Sequence, residues 1–146
     1  MFAFTSKQRR PVQQAVGKRY FTVDQARRSL TLIRKIVADI QDVQKLRLEC
    51  HAQINDVIPR SAPRNRTLLQ KQFDAGTQRL ENLMEELEQV GVQLRDPSRG
   101  MLDFPALHEG REVLLCWKAD EPTISYWHEV GSGYAGRKPV SAICAG

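Results

Sequence analysis

The chain has 146 residues, of which 22 are Lys or Arg and 17 are Asp or Glu, and its formal net charge is +5 at pH 7. The three cysteines, Cys50, Cys116 and Cys144, are an odd number at wide spacings, which excludes a disulfide framework and a zinc finger. No apolar run approaches the roughly 20 residues that span a bilayer, so the sequence predicts a cytoplasmic protein with no membrane partner.

The excess charge lies in the first 19 residues, which contain five basic and no acidic side chains, while residues 20–146 contain 17 of each. The sequence therefore predicts a basic, disordered tail over residues 1–19 and a single domain over residues 20–146. Because the domain itself is neutral, the basic tail is the one segment that suggests nucleic-acid contact.

Two heptad-like patterns predict a long helical hairpin. The first helix, over residues 20–58, begins with a capping box of Thr22 and Gln25, and the second, over residues 62–90, ends at a Gly91 cap. The apolar seams of the two helices are Val23, Ala26, Leu30, Ile33, Val37 and Ile40, and Leu69, Phe73, Gly76, Leu80, Leu83, Leu87 and Val90.

Charges predict that the two helices run antiparallel, because each helix carries a cluster whose sign is wrong for its own dipole. An antiparallel pair brings a basic and an acidic cluster together, namely Arg27, Arg28, Arg34 and Lys35 with Glu81, Glu85, Glu86 and Glu88. A second apolar stripe on the first helix consists of Leu32, Ile36, Val43 and Leu46. The C-terminal region, a second copy of the chain, or both must cover this stripe, and a second copy predicts a homodimer.

The sequence predicts a small antiparallel β-sheet over residues 91–130 and a glycine-rich tail over residues 131–146. Two strands flank a turn at Glu109 and Gly110, and a third strand covers residues 123–128. Pro105 should place its strand at an edge or at a bulge. The predicted fold class is therefore α+β, with a coiled-coil-like antiparallel helical hairpin followed by a small antiparallel sheet.

The register of the third strand decides which side chains share a face, and the sequence leaves it open. If Trp117 opposes Ile124, His128 shares a face with the apolar residues of the hairpin, as in a core. A one-residue slip instead groups His128 with Cys116, which the hairpin brings near Asp103. These three side chains offer ligands that Zn²⁺ accepts, although a buried cysteine and a histidine bonded to backbone are the simpler interpretation. A Cys116 nucleophile with His128 as its base lacks an orienting group.

The glycines of residues 131–136 match the letters of a dinucleotide-binding fingerprint. That fingerprint requires a following helix, and the chain ends too soon to form one. The segment is therefore interpreted as a flexible exit from the sheet, or as a small anion-binding nest beside Arg137 and Lys138.

Short motifs distributed over residues 20–140 suggest a family. They are Phe21-Thr22, Val90-Gly91-Val92, Asp96-Pro97, Asp103-Phe104-Pro105, Gly110-Arg111, Leu115-Cys116-Trp117, Glu121-Pro122, Trp127-His128 and Gly136-Arg137-Lys138-Pro139. With these motifs the chain resembles the bacterial family called domain of unknown function 2203. The resemblance implies a cytoplasmic protein with a helical hairpin and a small sheet, and it implies no named activity. It favours a shared ligand-binding surface of Asp103, Arg111, Glu121, Trp127, His128 and Arg137.

Three functions follow from these observations, and no catalytic residue is assigned. The favoured hypothesis is a non-enzymatic binding or scaffolding module that self-associates as a dimer through its helical hairpin. The alternative is a metal- or ligand-binding enzyme with a site on the sheet, where Asp103, Cys116 and His128 would hold zinc. The remaining alternative is nucleic-acid contact through the basic tail.

Overall fold

A computed structural model describes residues 18–55 and 63–143 of the chain. Two helices, α1 (Val23–Asn55) and α2 (Pro63–Val90), precede five strands. The strands are β1 (Gln93–Asp96), β2 (Met101–His108), β3 (Arg111–Lys118), β4 (Tyr126–Glu129) and β5 (Lys138–Pro139). They form one antiparallel sheet in the order β1-β2-β3-β4-β5, which confirms the predicted α+β class.

The predicted basic tail lies outside the described residues as far as residue 17, but its last residues belong to the folded part. The ammonium of Lys18 lies 2.9 Å from both carboxylate oxygens of Glu112. The backbone N–H of Phe21 donates to the carbonyl oxygen of Pro105 at 2.7 Å, and its ring packs edge-on against Phe104. Residues 18–22 therefore dock on the sheet before α1 begins.

Local signals at the helix ends are confirmed. Thr22 and Gln25 form a reciprocal capping box, in which each side-chain oxygen accepts the other residue's backbone N–H at 3.0 Å. At the end of α2, Gly91 adopts a φ of 99°, and the N–H of Val92 donates to the carbonyl of Leu87 at 3.0 Å. This 6→1 bond is the Schellman motif, which turns the chain directly into β1.

The helices pair antiparallel. Asp39 on α1 lies 3.7 Å from Arg79 on α2, and further along α1 the thiol of Cys50 lies 3.8 Å from the side-chain oxygen of Gln72. The partners on α2 thus have falling numbers as those on α1 rise. The seam residues that are buried are Ala26, Leu30, Ile33, Val37, Ile40, Leu80, Leu83 and Leu87.

Two of the basic residues on α1 contribute to an interface that the charge pattern did not predict. Arg27 donates to the carbonyl oxygen of Ile124, and Arg34 donates to that of Pro122. The guanidinium of Arg34 also lies 5.3 Å from the ring of Trp117. These cations therefore help to hold the loop between β3 and β4 against α1.

The hairpin of β2 and β3 has the predicted turn. Glu109 and Gly110 have φ values of 53° and 79°, as a two-residue turn with two left-handed positions requires. Pro105 lies on an internal strand, but β1 pairs with β2 only as far as Asp103. Pro105 therefore lies where β2 extends beyond its neighbour, so its missing N–H breaks no ladder bond.

The sequence predicted a glycine-rich tail over residues 131–146. This prediction is wrong for residues 131–143, which are folded against the rest of the domain. Residues Tyr134–Gly136 form a 3₁₀ turn, and Lys138–Pro139 pairs with β4. Val140 and Ile143 are buried in the core, and the N–H of Val140 donates to the carbonyl of Ser125. Apolar burial holds this segment in place despite its glycines.

The register of β3 against β4 is the slipped one. Cys116 lies opposite Tyr126, and Leu114 lies opposite His128. Trp127, between these two positions, packs in the core on the side that faces the helices. The outer face of the sheet, which is the side away from the helices, therefore carries His128 and Cys116 together.

Candidate functional site

Three buried side chains converge on the outer face of the sheet. Asp103 on β2, Cys116 on β3 and His128 on β4 are 2%, 1% and 3% exposed. Asp103 lies directly opposite Cys116 in the ladder. One potential ligand atom from each residue lies within 4.8 Å of the other two. In the described part of the chain, Asp103 and His128 are the buried residues of the polar and charged class.

Both ring nitrogens of His128 have a partner. Nδ1 lies 2.8 Å from the carbonyl oxygen of Glu129, which only accepts hydrogen bonds, so Nδ1 carries a proton. Nε2 lies 3.1 Å from Oδ1 of Asp103. Backbone geometry thus fixes the ring so that Nε2 is directed at the carboxylate.

Asp103 is held from its other side by Arg95, a residue of β1. Nε of Arg95 donates to Oδ2 of Asp103 at 2.7 Å, and Nη2 of Arg95 donates to the side chain of Gln93 at 2.6 Å. Oδ1 of Asp103 therefore faces His128 while Oδ2 is occupied. Sequence analysis missed Arg95, although its position on an edge strand beside β2 follows from the strand alternation once the order of the sheet is known.

Burial raises the pKa of the Cys116 thiol to about 11. The positive charge of Arg137 opposes this shift, whereas the carboxylates of Asp103 and Glu121 add to it. Cys116 is therefore a neutral thiol near pH 7 in the metal-free protein. A divalent cation at the cluster would displace this proton and bind the thiolate.

Arg137 covers the site near Cys116 and is fixed by its own partners. Its Nη2 lies 2.5 Å from Oε2 of Glu121, and its Nη1 donates to the hydroxyl of Tyr134 at 2.7 Å. The guanidinium lies 4.1 Å and 4.3 Å from the ring centroids of Tyr126 and Tyr134. Nε of Arg137 is buried and has no hydrogen-bond partner within the described residues. It is a buried donor close to the cluster.

The geometry does not form a cysteine nucleophile with a histidine base. Such a pair requires a ring nitrogen of His128 to accept the proton of Cys116. Here one nitrogen faces Asp103 and the other faces a backbone carbonyl. The neutral state of the thiol also lowers its nucleophilicity.

The donor set fits a thiophilic divalent cation. Sulfur, imidazole nitrogen and carboxylate oxygen are the ligands that Zn²⁺ accepts at about 2.0–2.3 Å. Two of the three ligands have outer partners of the kind that orient metal ligands, namely the Glu129 carbonyl for His128 and Arg95 for Asp103. Tetrahedral ligands lie roughly 3.3–3.8 Å apart. Oδ1 of Asp103 and Nε2 of His128, 3.1 Å apart, would separate slightly around an ion, whereas any pair of ligand atoms near the 4.8 Å limit of the cluster would approach by about 1 Å.

A family model described as an uncharacterized conserved protein, DUF2203, matches residues 19–140. The chain belongs to this family. Neither the curated proteins nor the solved structures that were compared contain a match. Membership in this family assigns no activity, so the function must be argued from the site. Within the described residues, no helix has the length and apolarity needed to cross a membrane.

The remaining residues of the predicted ligand-binding surface do not all lie beside Asp103 and His128. Glu121 and Arg137 pair beside Cys116, as described above. Arg111, on the hairpin of β2 and β3, is half-exposed and pairs with Glu129 at 2.7 Å. Trp127 lies in the core on the side that faces the helices. The predicted shared surface is thus divided among three environments.

The glycine-rich segment positions side chains near the site. Gly133, with a φ of 69°, precedes the 3₁₀ turn, and its carbonyl accepts the N–H of Gly136. The N–H of Arg137 donates to the carbonyl of Tyr134. These two backbone donors have partners inside the turn, so they are not directed at an anion. The turn instead places the hydroxyl of Tyr134 against Arg137, whose guanidinium acts on Cys116.

A separate cavity of about 270 Å³ lies between the N-terminal segment and the sheet. Among the described residues, the lining has no cysteine, histidine or carboxylate, and it consists of Tyr20, Phe21, Thr22, Val23, Ala106, Leu107, Leu115 and Ile143. The lining side chains are thus mainly apolar, with Tyr20 and Thr22 as the polar ones among them.

Proposed function

We propose that this protein is a metal-binding module that holds one divalent cation, with zinc the best match, between Asp103, Cys116 and His128. The observation that carries the proposal is the convergence of oxygen, sulfur and nitrogen ligands from three adjacent strands in a buried place. The chemical differences among the three donors favour a transition metal over Mg²⁺ or Ca²⁺, which prefer oxygen alone.

A structural ion pair is the competing explanation, and two features weigh against it. A buried ion pair is often no more stabilising than apolar residues of the same volume. Stability alone therefore does not explain why Asp103 and His128 are polar at these buried positions. An ion pair also has no use for Cys116, whose sulfur lies with the other two ligand atoms. A metal site gives all three residues a common role.

Elemental analysis of the full chain, purified without a histidine tag, tests the proposal. We expect about one equivalent of metal per chain, lost in Cys116→Ser and in Asp103→Asn. Cys50→Ser is the matched control, because Cys50 is equally buried but lies on α1 near Gln72. Cobalt-loaded protein should show a thiolate charge-transfer band that depends on Cys116 and is unaffected by the Cys50 substitution.

Absence of stoichiometric metal after reconstitution with Zn²⁺ or Co²⁺ would contradict the proposal. Equal metal content in the Cys116 and Cys50 variants would also contradict it, because the bound metal would then lie elsewhere. The proposal further assigns the protein to a reducing compartment such as the cytoplasm, since Cys116 must remain a free thiol to bind metal.

Self-association of the helical hairpin is a second proposal, supported by the exposed part of the second apolar stripe. Within that stripe Ile36 is buried, whereas Leu32 is 54% exposed and Leu46 is 44% exposed. Leu32 and Leu46 are about four helical turns apart, so they face nearly the same side of α1. A second copy of the chain, packed along α1, would cover both.

Light scattering at micromolar concentration tests this second proposal. We expect a dimer that dissociates when Leu32 and Leu46 are both changed to Glu. Leu107→Glu is the control, because Leu107 is 56% exposed but lies on β2. A monomeric wild-type chain would contradict self-association and would leave the metal proposal intact.

A further inference from the structure

We infer that Arg137 is a positioning residue of the metal centre, whose Nε–H donates a hydrogen bond to the metal-bound sulfur of Cys116. The inference rests on the proposed function and deepens it by naming the outer partner of the third ligand. The other two ligands already have outer partners, which are a backbone carbonyl for the imidazole and Arg95 for the carboxylate.

The first argument is an unused buried donor. Nε of Arg137 is buried and has no hydrogen-bond partner within the described residues, although a buried N–H without a partner is costly. The other two nitrogens of this guanidinium are engaged, Nη2 with Glu121 and Nη1 with the hydroxyl of Tyr134. A neutral thiol is a weak acceptor, whereas a thiolate forms a charge-assisted bond. Nε therefore gains a matching partner when a metal ion displaces the proton of Cys116.

The second argument is the position of the guanidinium. Cys116 lies opposite Tyr126 in the ladder of β3 and β4, so these two side chains are neighbours on the outer face. The guanidinium of Arg137 lies 4.1 Å from the ring centroid of Tyr126. Its charge and a hydrogen bond both act on Cys116, and both oppose the rise in the pKa of the thiol that burial causes. Arg137 is thus close enough to stabilise the sulfur in its anionic form.

The third argument is that Arg137 is held in place without a metal. Its side chain is 12% exposed, and its guanidinium contacts two tyrosine rings. Glu121, its ion-pair partner, also accepts the backbone N–H of Lys118 at 2.9 Å. Lys118 is the last residue of β3, two positions beyond Cys116. The ion pair therefore fixes Arg137 to the strand that carries the sulfur ligand, so the donor loses little freedom when it binds sulfur.

A purely structural ion pair with Glu121 is the competing explanation for Arg137, and two neutral variants separate the explanations. Arg137→Met places a methyl group where Nε stands, whereas Arg137→Gln places an amide nitrogen there, because each is the fourth atom of its side chain. Both variants lose the charge and the ion pair with Glu121. They differ in whether a donor remains beside Cys116.

Zinc affinity, measured by competition with a chromogenic chelator, is the first readout. Arg137→Met should bind zinc about 10–100-fold more weakly than the wild type, as is usual when an outer partner of a metal ligand is removed. Arg137→Gln should bind about threefold or more tightly than Arg137→Met, because its amide restores a neutral hydrogen bond. Arg99→Gln is the control for the loss of a guanidinium and its ion pair, since Arg99 pairs with Asp96. Its zinc affinity should equal that of the wild type.

Cobalt-loaded protein gives the second readout. A hydrogen bond to the thiolate lowers the energy of the sulfur electrons, so the charge-transfer band should move to longer wavelength in Arg137→Met than in Arg137→Gln. A third readout needs no variant to fold. In wild-type protein with ¹⁵N-labelled arginine, the Nε–H resonance of Arg137 should shift and exchange more slowly with solvent once zinc is bound.

The inference is overturned if Arg137→Met matches the wild type in affinity and band position, or if the Met and Gln variants are changed equally. An Nε–H resonance that zinc leaves unchanged would overturn it as well. Failure of the wild type to bind Zn²⁺ or Co²⁺ defeats the proposed function instead, and this result precedes any comparison of variants.

Discussion

Replacing Asp103 distinguishes the hydrogen-bonding role of this residue from its role as a metal ligand. Asn at this position can accept from Nε of Arg95 through its oxygen and donate through its nitrogen to Nε2 of His128. His128 keeps its Nδ1–H bond to the carbonyl of Glu129. The hydrogen bonds that Asp103 makes to Arg95 and His128 are thus both restored with an uncharged side chain at position 103. Ala restores none of them.

The expected costs follow from this difference. Asp103→Asn replaces a carboxylate acceptor with a neutral amide while the Arg95 guanidinium stays charged, which should lower the free energy of unfolding by about 1 kcal/mol. Asp103→Ala breaks a buried pair and leaves Nε2 of His128 without a partner. Water cannot easily replace the lost partner, because both side chains are at most 4% exposed. The expected loss of stability is then about 3–5 kcal/mol.

Urea denaturation in the presence of a metal chelator measures both costs, provided that the unfolding slope is the same in all variants. Metal content of the same preparations gives the second readout, and neither Asn nor Ala should bind metal. Equal stability of the Asn and Ala variants would refute the hydrogen-bond assignment. Full metal binding by the Asn variant would refute Asp103 as a ligand.

Three further predictions concern the fold and the reactivity of the site. Gly100→Ala should lower the free energy of unfolding by about 2–4 kcal/mol, because Gly100 has a φ of 66° and a new Cβ would lie 2.7 Å from Val37 of α1. Gly110→Ala meets no atom within 4 Å and should cost about 1 kcal/mol, so equal losses in urea denaturation would contradict this reasoning. Thr22→Ala should cost about 1 kcal/mol through the lost cap, and an unchanged unfolding midpoint would exclude that role. Cys116 of metal-free protein should react slowly with iodoacetamide at pH 8 and faster as the pH rises toward its pKa of about 11, which mass spectrometry would detect.

Much of the fold was predictable because its signals are local. The capping box at Thr22, the Schellman motif at Gly91 and the turn at Gly110 each depend on a few consecutive residues. Apolar periodicity predicted both helices for the same reason. The antiparallel hairpin was also correct, although Arg27 and Arg34 contact carbonyl oxygens of the sheet loop.

The glycine-rich segment after Gly131 was misjudged because its burial depends on distant partners. Composition suggested a tail, yet Val140 and Ile143 pack into a core formed by residues far away in the sequence. The candidate site was only partly predictable in the same way. Its three ligands were named as candidates, while Arg95 was missed because nothing local connects it with Asp103.

The sequence by itself determined the helices, their caps, the hairpin turn and the chemical character of Asp103, Cys116 and His128. Tertiary structure decided whether those three residues meet. A shift of one residue between β3 and β4 would have turned His128 toward the helices. In the observed register Trp127 is instead buried on that side, and His128 lies on the opposite face. Strand register depends on the packing of whole faces, which short motifs do not specify. The physical basis of the candidate metal centre is therefore the pairing of three strands.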